Sequence, residues 1–286
     1  MKHSLRAAYD RLRFRVAARF GTAFGWFYRR FHTPRPGSLG DLLSTLSCRT
    51  PEPLTVLQVG ANDGLKWDPL HKFIRRDRWR GILLEPQTPV FRDWLEPLHA
   101  RNPRITTVNA ALGPEDGQMN LYRIGFSRAR WATGLASFQR EQIERVIESP
   151  HVRRHAAKEG VVIPDDPRER IAADPVEVLS IATLLQRHPL ERLDLLFVDT
   201  EGFDFEIVKL FDLRAPGAAG SGPLRPRMIV YENAHLSDDD AAACVDLLRA
   251  AQYRVGELGP NSFAVAEEVL SGDPGLAQEL ARFGAD

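Results

Sequence analysis

Residues 193–198 form an almost wholly apolar run that breaks abruptly into Asp199, Thr200, Glu201 and Gly202. A strand of that kind must be buried on both faces, which requires a parallel sheet covered by helices. The same pattern recurs along the chain. Short apolar runs at 54–59, 82–84, 105–108 and 228–231 each end in small or polar residues. Amphipathic stretches at 65–76, 89–100 and 205–211 predict helices between them, and 119–124 predicts an extra strand. Ser237 followed by three aspartates predicts an N-cap and an acidic first helical turn. Runs 253–258 and 263–266, separated by Gly259, Pro260 and Asn261, predict a closing antiparallel pair.

In such a sheet a ligand sits beyond the carboxyl ends of the strands, where the strand order reverses. The first run ends in Gly60, Ala61, Asn62, Asp63 and Gly64, a turn tight enough to let a carboxylate or phosphate approach its amides. A plain strand-to-helix turn is the alternative. Glu85, at the second exit, lies 25 residues beyond Gly60. An acid in that neighbourhood accepts hydrogen bonds from ribose hydroxyls. A nicotinamide fingerprint would need glycines where Asn62 and Leu65 stand. P-loop, serine-hydrolase elbow and zinc-protease motifs do not occur. The adenosine ligand that survives is S-adenosylmethionine.

Motifs in order carry a family resemblance: Gln58-Val-Gly-Ala-Asn-Asp-Gly64, Asp68-Pro69, Trp79-Arg-Gly-Ile-Leu-Leu-Glu85-Pro86, Val108-Asn-Ala-Ala-Leu-Gly113, Gly134-Leu-Ala-Ser-Phe138, Leu195-Leu-Phe-Val-Asp-Thr-Glu-Gly-Phe-Asp204 and Ile229-Val-Tyr-Glu232. From about residue 54 to 266 the chain resembles the FkbM family of S-adenosylmethionine-dependent methyltransferases. The resemblance implies an α/β, Rossmann-like seven-stranded sheet with helices on both faces. It also implies methylation of a hydroxyl on a sugar or polyketide-type product. Carried onto this chain, Gly60, Asn62, Asp63 and Gly64 surround the methionine end, Glu85 takes the ribose diol, and Asn109 and Ala110 border the adenine. One difference, at Gln58, is tolerated within the resembled branch, and the departure from its pattern lies at the final turn. Gln58 stands where many methyltransferases have an acid, and Asn261, Ser262 and Phe263 stand where relatives often have an Asp.

Methylating a hydroxyl is an in-line displacement, so the acceptor oxygen must be held at near-contact distance. A base contributes about 100-fold to 10,000-fold more. Asp199 and Glu201 at the fourth exit are expected to shape the site, with His235 beyond the fifth as proton acceptor. Its ordinary pKa of about 6.5 suits that role, although a His capping the following helix is the alternative. Asp199, Glu201 and Glu232 would also suit a hard divalent cation. A cationic cofactor explains them equally well, so no metal is assigned. Residues 125–176 exceed a plain connection and are expected to form an inserted helical lid. Within it Arg128, Arg130 and Trp131 either meet a sugar or decorate the lid, and His151 with His155 lack a third ligand.

Residues 1–37 hold nine basic groups and Asp10, a charge of +8, so a chain balanced at 38 against 38 leaves −8 for the rest. Leu5, Tyr9, Leu12, Val16, Phe20, Phe24, Phe27 and Phe31 step by three or four, predicting an amphipathic helix before a linker at Pro34 and Pro36. Its uncharged runs are too short to span a bilayer. The leader suits an anionic membrane surface, or packs on its own domain. The expected organisation is leader 1–37, methyltransferase domain 38–270 and tail 271–286. Cys48 and Cys244 show neither metal spacing nor a disulfide framework, which fits a reducing cytoplasm, at or near the inner membrane face. The acidic body argues against nucleic acid as acceptor. A glycan or other small molecule is the expected acceptor, and a non-catalytic adenosine-ligand scaffold the alternative function. Oligomeric state is not legible.

Overall fold

A computed structural model describes residues 2–19, 21–66, 68–214 and 224–284. Among them run β1 (Thr55–Val59), β2 (Arg80–Leu84), β3 (Ile105–Val108), β4 (Ala111–Leu112), β5 (Gly117–Ile124), β6 (Ile171–Leu179), β7 (Leu195–Val198), β8 (Met228–Glu232), β9 (Tyr253–Leu258) and β10 (Asn261–Ala266). Seven of them form one sheet in the order β3-β2-β1-β7-β8-β10-β9. The first five in that order are parallel, and β10 runs antiparallel to both β8 and β9. This is the Rossmann-like seven-stranded α/β architecture expected, with the closing antiparallel pair in place. The chain moves from β1 outward to β3 on one flank, whereas β7 leads to β8 on the other. Strand order therefore reverses between β1 and β7, which sets the ligand crevice at their carboxyl ends.

All residues of β1 and β7 are buried, as strands covered on both faces must be. Asp194, just before β7, is buried as well. It is tolerated because it accepts the Thr55 N–H at 2.7 Å and pairs with Arg192 at 3.0 Å and Arg227 at 3.2 Å.

A second sheet, β4-β6-β5, lies outside the main one. Strand β6 was not foreseen; Pro175, Ala172, Ala173 and Asp174 are poor strand formers, and pairing with β5 along eight residues overrides them. The inserted segment before it carries helices Arg130–Thr133, Arg140–Ile147, Pro150–Glu159 and Pro167–Arg170. They enclose a core of their own from Ile124, Trp131, Ile143, Ile147 and Val152.

The leader forms α1 (Lys2–Arg19) and α2 (Gly21–Phe31), followed by α3 (Leu39–Arg49), whose N-cap Ser38 accepts the Asp41 N–H. Phe20 and the side chain of Leu5 lie outside the described residues. The face that packs is not the expected apolar stripe, of whose described members Phe24 alone joins the cluster under the leader, partly buried. Phe14 and Ala17 pack with Leu65 and Leu98, and Tyr28 is buried, whereas Tyr9, Leu12, Trp26, Phe27 and Phe31 stay exposed. No helix among the described residues is long and apolar enough to cross a membrane.

Three elements differ from their sequence outlines. The helix expected at 65–76 begins only at α4 (His71–Arg76), because Pro69 disfavours helical geometry at Asp68. The 89–100 helix contains a widened π turn, Phe91–Leu95, ahead of Pro97, which has no N–H to donate. Residues beyond 266 include helices Glu267–Gly272 and Pro274–Ala281, which bury Leu276 and Leu280, where a tail was expected from 271.

Candidate active site

The turn after β1 uses left-handed backbone at Gly60 (φ +87°), Asn62 (+47°) and Gly64 (+66°). At Gly60 the reason is direct: a Cβ there would overlap the carbonyl oxygen of Asp199, so the exits of β1 and β7 touch backbone to backbone. Glu85 reaches in from the end of β2. It is 2% exposed, and its carboxylate accepts the N–H of Asn62 and that of Gln87, each at 2.8 Å. Burial pushes its pKa up to about 7, against the pull of those amide bonds.

A pocket at this switch point is lined by Gly60, Asn62, Glu85, Ala110, Asp199 and Glu201, and the insertion closes it with Thr133, Gly134, Ala136 and Phe138. The remaining sequence-predicted cofactor residues stand behind its wall. Asp63 accepts the N–H groups of Leu65 and Lys66 at 2.8 and 2.7 Å and pairs with Arg130 of the insertion. Gly64 packs its backbone against Leu95 and Leu98. Asn109 donates through Nδ2 to the carbonyls of Glu85 (2.8 Å) and Pro86 (3.2 Å) and accepts the Thr88 hydroxyl at 2.8 Å. Its polar atoms are thus spent on holding the Glu85 loop, while Ala110 faces the pocket.

Beyond β7 and β8 the structure collects Asp199, Glu201, Glu232 and His235. Glu201 sits in left-handed backbone (φ +55°), an unfavourable conformation for glutamate. The insertion fixes this turn: Ser137 donates its hydroxyl to the Glu201 carbonyl at 2.9 Å, and Gln139 Nε2 donates to the Gly202 carbonyl at 3.2 Å. Asp204 ties the two exits together by accepting from Thr200 Oγ1 (2.8 Å) and from the Glu232 N–H (3.1 Å).

Enclosure and mutual repulsion raise every acid here. Asp199 opens onto the pocket, yet protein surrounds its carboxyl, and burial with Asp204 and Asp68 beside it raises it to about 7. Burial, then Glu232 and Asp199, raises Glu201 to about 9; burial, then Asp199 and Asp204, raises Glu232 to about 8.

His235 Nε2 lies 3.2 Å from Glu201 Oε2 and 3.7 Å from Glu232 Oε2. Its Nδ1 lies 3.0 Å from Gln142 Nε2, and Arg145 donates to Gln142 Oε1 at 2.8 Å. Arginine can only donate, so the amide oxygen of Gln142 faces Arg145 and its NH2 faces His235. Nδ1 is then the accepting nitrogen, and the imidazole proton sits on Nε2, aimed at Glu201. Burial and the charge of Arg145 keep the His235 pKa below its ordinary value. The arrangement works against the sequence expectation that His235 takes the acceptor's proton, because its one lone pair is already engaged. Among the described residues, Glu201, Glu232 and His235 also form a group close enough to hold a cation, but the same tautomer turns a proton, not a lone pair, toward that spot.

Gln142 and Arg145 were missed from sequence. Gln142 is 93 residues from His235 in the chain, and nothing in the 125–176 composition marks it. Trp131 is placed inside the insertion, buried, stacked on His155 at 5.6 Å and donating to Glu159 at 2.9 Å. Arg130 lies over Trp94, whereas Arg128 lines a neighbouring groove.

Residues 58–255 match the Methyltransferase FkbM domain. No curated protein matches the chain by sequence. Among solved structures, a precorrin-6y C5,15-methyltransferase from Geobacter metallireducens GS-15 is 12% identical, with 82% of this chain and 93% of that chain covered and a TM-score of 0.34. That likeness is too loose to bear on site or substrate.

Proposed function

Because this chain belongs to the FkbM methyltransferase domain family, we propose that it transfers a methyl group from S-adenosylmethionine to a hydroxyl of a glycan, sugar or secondary-metabolite acceptor. The observation that carries the reading is the surplus of carboxyl groups around the switch-point pocket. Burial raises all three; Asp199 and Asp204 add to the rise of both Glu201 and Glu232, Glu232 adds to that of Glu201, and Asp204 with Asp68 adds to that of Asp199, so a cation placed among these acids would relieve the repulsion. A second observation agrees. Gln58 Oε1 and Asp68 Oδ2 are buried acceptors without a donor among the described residues, and Asp68 is near enough to raise Asp199. An ammonium group would complete them.

Bound there, S-adenosylmethionine supplies a methyl group already activated by its sulfonium. The residues of the chain supply the rest. Glu85 keeps acceptor capacity beyond its two amide bonds and holds the ribose hydroxyls, while Asn109 fixes the loop that carries it. Gly60 and Asn62 line the space for the amino-acid end, their own N–H groups being spent on the Leu84 carbonyl and Glu85. Glu201 accepts the proton of the acceptor hydroxyl, and His235, donating from Nε2, steadies the ionised carboxylate. Thr133, Gly134 and Phe138 exclude water from above.

Calorimetry with S-adenosylmethionine tests the cofactor reading, and transfer of label from it to fractionated cell glycans tests the acceptor class. Tight cofactor binding with no transfer to any hydroxyl-bearing fraction would overturn the O-methylation reading. Absence of binding would overturn the cofactor reading as well.

A further inference from the structure

Arginines on most of this surface are matched by acids. Arg49 pairs with Glu279, Arg123 with Asp174, Arg254 with Glu267 and Arg282 with Asp41. One cleft of about 600 Å³ between α2 and the body departs from that rule. Arg29 from α2, Arg75 from α4, Arg78 after it, and Arg101 and Arg104 before β3 all line the cleft, and no acid does. None of these five has an ion-pair partner among the described residues. Five guanidinium groups gathered without counter-charge repel one another, so the cleft is built at a cost that an anion would remove.

The cleft also has unmet donor capacity. Arg75 Nε is buried with no acceptor, its Nη2 being spent on the Leu98 carbonyl at 2.7 Å. Room for that guanidinium comes from Gly21 on the cleft wall, where a Cβ would overlap it.

On the faces of α2 turned away from the body stand large apolar side chains that nothing covers. Trp26, Phe27 and Phe31 are 66%, 49% and 58% exposed, and Trp26 is three residues from Arg29, hence its neighbour on the helix surface. Aromatic rings beside arginines match the headgroup level of a bilayer, where each ring has an apolar body and a polar surrounding. Guanidinium groups in a fork geometry suit phosphate oxygens.

We propose that the cleft between α2 and the body binds the phosphate of an anionic phospholipid headgroup, while Trp26, Phe27 and Phe31 enter the headgroup layer. The proposal goes beyond methyl transfer and is independent of it.

The test is sedimentation of the full chain with vesicles of phosphatidylcholine alone or mixed with phosphatidylglycerol, without cofactor or acceptor. Binding is expected only to the anionic vesicles and should weaken with salt. Replacing three exposed cleft residues, R78Q, R101Q and R104Q together, should weaken it about 100-fold at unchanged melting temperature, each charge contributing about fivefold. The matching three Arg→Lys changes should restore most of the binding. R101Q with R104Q alone serves if the triple variant melts early. Trp26→Ser should weaken vesicle binding and leave any affinity for inorganic diphosphate unchanged. Equal pelleting of parent and triple variant, or equal binding to neutral vesicles, would overturn the proposal. So would tight binding of diphosphate without vesicle binding, which would mean a soluble phosphate site. Displacement of the vesicles by single-stranded RNA at comparable concentration would overturn it in favour of a nucleic-acid face.

Discussion

A carboxyl that burial and like-charged neighbours hold near pH 9, as at Glu201, is protonated around neutrality and becomes a strong base once a cation beside it draws the proton off. Glu201→Gln should therefore lower kcat by about 100-fold to 10,000-fold at saturating cofactor, apart from the weaker cofactor binding expected when one of the facing carboxyls is lost; turnover at the parent rate would remove Glu201 from the mechanism. His235 donates to that carboxylate at 3.2 Å, and a hydrogen bond to the ionised form favours ionisation. His235→Ala should shift the rising limb of the kcat–pH profile upward and leave the plateau within reach at high pH. A uniform loss at every pH would instead mark His235 as the base. Glu85→Gln keeps the shape but removes the charge, and should weaken S-adenosylmethionine binding by about 2 kcal/mol in calorimetry; unchanged affinity would end the ribose assignment. The positions of Glu85, Asp199, Glu201 and His235 were legible because polar residues at strand ends stand out against apolar runs. Their working arrangement was not. The tautomer of His235 depends on Gln142 and Arg145, and contacts between distant segments leave no trace in the local pattern of either.

At the scale of elements, strands buried on both faces were the easiest to read, since apolar composition alone marks β1, β7 and β8. Strand β6 and the helices after 266 escaped because tertiary pairing, not local propensity, decides them. The insertion was foreseen as a helical lid shaping the pocket, but the contacts that fasten it were not. It is pinned to the β1 turn by Arg130, which pairs with Asp63 and lies over Trp94, and to the β7 turn by Ser137 and Gln139. Arg130→Ala leaves Asp63, 4% exposed, without its counter-charge. Removal of one partner from a buried pair costs about 3 kcal/mol, so denaturant unfolding should show a loss of that order. The variant should also bind cofactor more weakly, because the same turn carries Asn62. A stability change below about 0.5 kcal/mol, the range typical of a surface substitution, would mean that the clasp contributes little and that the insertion is held by its β5 and β6 pairing.

For the molecule as a whole, two sets of buried titratable groups act on stability in opposite directions. Glu85 and Asp199 near 7, Glu232 near 8 and Glu201 near 9 are raised above ordinary carboxyl values by burial and one another. A raised folded pKa means the native state holds its proton more tightly than the unfolded chain does. The stability it contributes is complete below about pH 4 and disappears as pH rises through 7 to 9. His71, lowered by burial to about 3, and His99, also well below its ordinary value for the same reason, lie under the leader and act the other way. Their contribution is complete above about 6.5 and is lost as pH falls below it. Of these two sets the carboxyls titrate between pH 7 and 9, and the Cys244 thiol, which burial raises to about 11, acts in the same direction. Thermal melts of the cofactor-free protein should show Tm falling across that interval. Glu201→Gln combined with Glu232→Gln, which removes two of the four raised acids and their mutual repulsion, should flatten the fall and stabilise the protein at pH 9 while abolishing turnover. Added S-adenosylmethionine should flatten it too, because a cation among the carboxylates lowers their pKa values. A Tm that is level or rises from pH 7 to 9 in the cofactor-free parent would show that these acids are ionised without penalty, and would remove the electrostatic ground for placing a cationic cofactor beside them.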